Sequence, residues 1–162
     1  MRLDVDSLIE HSDDALELTT HLELARRSLI VANVVSHYTF VDELLGSAVA
    51  RYYFPRRGFM ALWRTKRFRR FNYFMLEKLS TIEKLNHLRD IRALPSNVVD
   101  YVQRLNALRN ALTHTFFPEN LRGKRTQWKG QDIFSIEGFR ALQIDAEEGQ
   151  RYLFQRALGR SP

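Results

Sequence analysis

The stretch Ser96-Asn97-Val98-Val99-Asp100-Tyr101-Val102-Gln103-Arg104-Leu105-Asn106-Ala107-Leu108-Arg109-Asn110-Ala111-Leu112-Thr113-His114-Thr115 carries the periodicity that sets the fold. At 100° per residue, Val98, Tyr101, Leu105, Leu108 and Leu112 fall on one stripe, so the segment reads as an amphipathic helix with that stripe facing a core. Pro95 closes what precedes it, Ser96 offers a hydroxyl to cap the first turn, and Pro118 lies beyond its end. Gln103, Asn106, Asn110 and His114 line another side, and Asn110 and His114, one turn apart, can share a ligand. Thr113 lies between that side and Arg109. Arg109 falls beside Leu105 on the edge of the apolar stripe, where a guanidinium is expected to be partly buried or at an interface. Ala107 and Ala111 are small enough to allow a close approach from outside.

Outward from this helix the same period dominates, and strand-like alternation is nearly absent. A first amphipathic segment is expected from about Ser7 to Thr20. A second runs from His21 to Tyr53, with Leu22, Leu29, Val34, Val41, Leu44, Leu45 and Val49 among its apolar positions, a bend near Ser36, and an end at Pro55 and Gly58. A third is expected over Phe68 to Arg92, with Phe71, Met75, Leu79, Ile82 and Leu85 inward. Residues 118 to 134 read as polar and irregular, with Gly123 and Gly130 set among Arg122, Lys124, Arg125 and Lys129. Ser135 is placed to cap a last helix reaching about Leu158, with Gly138 and Gly149 each weakening it by about 1 kcal/mol. The expectation is an all-α, four- to five-helix up-and-down bundle, one domain over residues 1–162, without repeats or low-complexity stretches.

Of the 162 residues, 44% are hydrophobic and 27% charged, a globular balance. There is no cysteine, which excludes disulfides, zinc–cysteine sites and thiol chemistry. The longest apolar run, Leu29 to Val35, is too short to span a bilayer and is interrupted by Asn33. Met1-Arg2-Leu3-Asp4-Val5-Asp6 is polar and acidic where a secretory signal is basic and then apolar, so a cytoplasmic protein without a membrane partner is expected. The net charge is +6, unevenly spread. Residues 3 to 25 hold seven acids and no Lys or Arg, whereas residues 51 to 70 hold eight bases and no acid: Arg51, Arg56, Arg57, Arg64, Lys66, Arg67, Arg69 and Arg70. Such a block attracts polyanions, and the interleaved Tyr52, Tyr53, Phe54, Phe59, Trp63 and Phe68 could stack on unpaired bases. A solvated basic face whose rings belong to the core gives the same pattern.

Arg109-Asn110-Ala111-Leu112-Thr113-His114 resembles the Arg-polar-x-x-x-His signature of HEPN domains, small helical nucleases of prokaryotic toxin and defence systems. The resemblance covers six residues in motif and most of the bundle in architecture. It implies a HEPN-type bundle and a metal-independent endoribonuclease with no cofactor. A homodimer would bring two fourth helices together, with Arg109, Asn110 and His114 of each subunit in one cleft. His114 is suited to proton transfer, because an imidazole titrates near neutral pH. Arg109 offers a fork of donors to the crowded anionic phosphorane, and Asn110 would orient His114 or bind a phosphate oxygen. The implied products are a 2′,3′-cyclic phosphate and a 5′-hydroxyl, and the implied partners are RNA, a second copy of the chain and an antitoxin protein. In one branch of the family a tyrosine two residues after the histidine is modified by a nucleotidyltransferase antitoxin. Phe116 stands there in this chain and has no hydroxyl to modify, which leaves a binding antitoxin.

Lys124 and Arg125 follow His114 closely and so are better placed than residues 51 to 70 to touch RNA near the cut, while Arg51, Arg56, Arg57, Arg64, Lys66 and Arg67 are expected as further RNA-binding residues. Asp42 and Glu43 either face the fourth helix and fix Arg109 or form a plain solvated pair. His11, His21, His37 and His87 show no metal-ligand spacing and read as surface or core histidines. Two further readings stay open: a catalytically silent HEPN-like module that binds RNA, nucleotide or a protein partner, and a helical adaptor with a chance motif.

Overall fold

The structure, a computed structural model, describes residues 15–55, 59–113 and 126–159. Helix α1, Ala15–Tyr53, runs unbroken for 39 residues, a span of about 58 Å. The expected junction at Thr20 and His21 lies inside it, for no proline or glycine interrupts the backbone there. Glu23 instead ties the next turn together, receiving Arg26 Nε at 2.8 Å and Arg27 Nε at 3.0 Å. The helix also continues through Ser36, whose hydroxyl donates back to the Ala32 carbonyl at 2.9 Å. Residues 7–14 of the expected first segment lie outside the described residues.

The single third helix expected over Phe68 to Arg92 is three pieces. After α2 (Phe59–Trp63) come α3 (Lys66–Phe74), a 3-10 turn over Leu76–Lys78, and α4 (Thr81–Ile91). The chain breaks at Ser80 because a capping box starts a new helix there. The Ser80 hydroxyl accepts from the Glu83 amide, and the Glu83 carboxylate accepts from the Ser80 amide at 2.7 Å. Helix α5, Ser96–Thr113, begins at Ser96 itself, so the cap position passes to Pro95, whose carbonyl accepts from the amides of Val98 and Val99. Ser135 caps α6 (Ile136–Ala157) as expected, accepting from the Gly138 amide at 3.0 Å.

The chain is therefore an all-α bundle in which α1 packs against α4, α5 and α6, and α5 against α4 and α6. Val34, Val41, Leu45 and Val49 of α1 meet Leu85 and Leu88 of α4, Leu105, Leu108 and Leu112 of α5, and Leu142 and Leu153 of α6. Leu62 of α2 and Phe68 of α3 close one flank. No helix of the described residues is long and apolar enough to cross a membrane.

Part of the segment expected to be irregular is ordered by a small antiparallel hairpin, β1 (Gln127–Trp128) with β2 (Gln131–Asp132). Lys129 and Gly130, both at positive φ, make its turn. The hairpin drives Trp128, fully buried, into the core, where its indole N–H donates to Asp145 of α6 at 2.9 Å. The glycines that weaken α6 by propensity are needed for packing. A Cβ on Gly138 would lie 2.0 Å from the Asp132 carbonyl oxygen, and one on Gly149 would lie 2.4 Å from the Tyr101 ring. Burial also pushes the Tyr101 phenol up, although its oxygen accepts from Gln150 at 3.0 Å. Gln150 meets His37 Nδ1 at 2.7 Å, so His37 is a hydrogen-bonded histidine at the α1–α6 contact.

Candidate active site and nucleic-acid interface

Arg109 sits in the penultimate turn of α5, one helical step off the stripe of Leu105, Leu108 and Leu112, and is half-buried as its place on the stripe's edge required. Its guanidinium carbon lies 4.7 Å from the centroid of the Tyr38 ring on α1. Its Nη1 donates to Asn110 Oδ1 at 2.9 Å, which fixes the fork from the other side. Its Nε is buried without a hydrogen-bond partner among the described residues. No carboxylate pairs with Arg109 there, so the charge is held by a ring face and an amide, both neutral. A cation kept partly out of water in this way favours an anion at its open edge.

Tyr38 is itself anchored. Its hydroxyl lies 2.7 Å from Thr81 Oγ1 of α4, and Thr81 lies 2.7 Å from Asp42 Oδ1. Asp42 Oδ2 receives Lys84 Nζ at 2.6 Å. Thr81 and Lys84, polar residues buried in the core, thus both serve the carboxylate one turn along α1 from Tyr38. This settles the part of Asp42: it neither fixes Arg109 nor forms a solvated pair with Glu43, but joins α1 to α4 through Lys84 and Thr81. Glu43 is exposed and lines, with Asp42, Glu77 and Lys84, a cleft of about 300 Å³ between α1, α3 and the start of α4. Nothing in the sequence ties Tyr38 or Thr81 to Arg109, since the pairing is made only by the crossing of three helices.

On the same face of α5, Gln103 and Ala107 are exposed and Asn106 and Asn110 half-buried, while Ala111 is buried, so the close approach foreseen at both alanines is open only at Ala107. His114 lies outside the described residues, as do Arg56, Arg57, Lys124, Arg125 and Phe116.

The rest of the basic block divides. Arg64, Lys66 and Arg67, with Arg69 and Arg70, are exposed around α3, and none has an ion-pair partner among the described residues. Arg67 lies 5.7 Å from the Phe54 ring centroid. Arg51 is half-buried and lines a different cleft, at the end of α1. The rings divide in the same way. Phe68 is buried and packs edge-on against Phe54, just past the end of α1, and against Trp63 of α2, which itself stays exposed. Tyr53 stacks on His87, with its hydroxyl 2.8 Å from Nε2, and Tyr52, although exposed, packs edge-on against Tyr53.

Comparison with models of known families, with curated proteins and with solved structures returned no match. The site thus consists of a half-buried guanidinium on α5, oriented by Tyr38 and Asn110, and, apart from it, exposed cations around α3.

Proposed function

We propose that the chain is a metal-independent endoribonuclease of HEPN type. It acts as the toxin of a toxin–antitoxin or phage-defence system and cuts RNA at a site shared by two subunits of a homodimer. The observation that carries the reading is the state of Arg109: half-buried, held over Tyr38, braced by Asn110, and unpaired with any acid among the described residues. Such a group is oriented before substrate arrives and lacks an internal counter-ion, the condition under which a phosphate oxygen gains most from it.

In the cut, His114 of one subunit removes the proton of a ribose 2′-hydroxyl. The freed oxygen attacks the adjacent phosphorus, and the P–O5′ bond breaks. His114 of the partner subunit gives a proton to the departing 5′-oxygen, so the ends are a 2′,3′-cyclic phosphate and a 5′-hydroxyl. Arg109 of each subunit binds the nonbridging oxygens, where negative charge collects. The exposed cations around α3 attract the strand without regard to sequence.

The test is incubation of purified wild-type and Arg109→Ala protein with total RNA in EDTA, with both chemical ends of the fragments mapped. The expected outcome is cleavage by the wild type alone, leaving cyclic phosphates. Binding without cleavage by both proteins would replace the nuclease with a silent RNA-binding module.

A further inference from the structure

Helix α3 turns its apolar side inward, with Phe68 buried and Phe71 packed against the core. At 100° per residue, Lys66, Arg70 and Tyr73 fall opposite Phe68, with Arg67 and Phe74 on one flank and Arg69 on the other. We infer that this outer face binds an unpaired stretch of RNA, with phosphates on the cations and a base stacked on Phe74. The inference takes RNA from the reading above but stands on residues of α3 that have no part in the cut.

Three features carry it. Lys66, Arg69 and Arg70 are exposed and have no ion-pair partner among the described residues, so their charge is open to a polyanion. Glu77, the next acid along the chain, lines the cleft beside α1 and accepts there from Asn72 Nδ2 at 2.7 Å. The second feature is a pair of rings held in water beside these cations. Tyr73 and Phe74 are 55% and 69% exposed, with centroids 4.9 Å apart and planes at 87°. Lys78 Nζ stands 5.5 Å from the Tyr73 centroid and braces that ring, while Phe74 lies one turn beyond Arg70. The third is a fixed frame. The Thr65 hydroxyl accepts from the Phe68 amide at 3.2 Å where α3 starts, and the Met75 amide donates to the Phe71 carbonyl at 2.9 Å where it ends.

The rings decide which polyanion fits. A duplex offers phosphates but keeps its bases stacked on one another, whereas an unpaired strand offers both phosphates and free base faces. An anionic membrane would also attract the cations, but an interfacial helix must give its apolar side to the lipid. In α3 that side, Phe68 and Phe71, already belongs to the core.

The experiment is fluorescence anisotropy of the full chain with a short 2′-O-methyl RNA strand, which cannot be cut, and with the same strand in a duplex. The single strand is expected to bind more tightly. Phe74→Ala should weaken it by about 5- to 150-fold, the loss of one base–ring stack, and leave duplex affinity unchanged. Phe74→Trp should bind like the wild type. Arg70→Gln should weaken both ligands and lower the slope of log affinity against log salt by about 0.7 for the single strand. Phe74 and Arg70 are exposed, and an unchanged thermal midpoint confirms that each variant is folded. Equal affinity for strand and duplex, or Phe74→Ala binding like the wild type, would overturn the inference, as would Phe74-dependent binding to phosphatidylserine vesicles without a preference for the strand. Because the probe is not cut, a protein that binds it through Phe74 but never cleaves RNA would sink only the nuclease reading.

Discussion

Arg109 of α5 and Tyr38 of α1 face each other, with the guanidinium carbon 4.7 Å from the ring centroid. Because Tyr38 is in turn bonded to Thr81, and Thr81 to Asp42, the orientation of one cation depends on three helices. A ring face of this kind contributes about 0.5 to 2 kcal/mol. Tyr38→Leu is therefore expected to slow RNA cleavage by about 2- to 30-fold with the fold intact. Arg109→Ala is expected to slow it by at least about 100-fold, the loss seen when a donor to a developing oxyanion is removed. Tyr38→Phe, which keeps the ring face but loses the bond to Thr81, should fall between the parent and Tyr38→Leu. Initial rates on one RNA, with circular dichroism as the folding control, check all three.

Lys84 and Asp42 form a pair that is nearly out of water on the lysine side, with side-chain exposures of 9% and 28%. Lys84→Met would leave the carboxylate with the Thr81 hydroxyl alone, and about 3 kcal/mol of stability should be lost. Urea titration measures it. The loss should persist at high salt, which would erase the effect of a surface pair.

Gly149 of α6 distinguishes packing from propensity. By propensity, Gly149→Ala would stabilise the helix by about 1 kcal/mol. The Tyr101 ring stands where the new methyl must go, so a loss of about 1 to 3 kcal/mol is expected instead. Gly138→Ala should be worse, since its obstacle is the Asp132 carbonyl and not a ring that can turn. The sign of the change in urea midpoint is the readout.

Hydrogen bonds from Arg26 first, and then Arg27, hold the Glu23 carboxyl well below its usual 4.5, at about 2. A carboxyl depressed on folding stabilises the native state fully above pH 4.5, and that contribution fades as pH falls through about 2. Glu23 is on the surface, so the effect on stability is small and screened. Carboxyl-detected NMR should find its midpoint near 2 at low salt, rising toward the ordinary range as salt is added. An ordinary midpoint at low salt would mean that the pair does not persist in solution.

The stripe on α5 and the half-buried place of Arg109 were legible because both follow from one period of 3.6 residues. Ser135 was legible as a cap for a similar reason: its partner, the Gly138 amide, is only three residues away. The break before α4 carried an equally local signal, Ser80 and Glu83 in a capping box, which a continuous apolar pattern hides. The hairpin that buries Trp128 left a weaker trace, a single Gly130 among polar residues. Contacts between distant segments left none. The roles of Gly138 and Gly149 depend on Asp132 and Tyr101, and that of Asp42 on Lys84, partners that only the packed helices reveal.

The chain has no native cysteine, so a single spin label at Ala107→Cys, exposed on the outer face of α5, reports directly on whether two such helices meet. Paired helices pack with axes 8–10 Å apart, and the two labels of a dimer should then lie within about 20 Å in pulsed dipolar spectroscopy. A protein that stays monomeric at the concentrations where it cleaves, or labels separated by more than about 30 Å, the width of a small domain, would contradict a site shared between subunits.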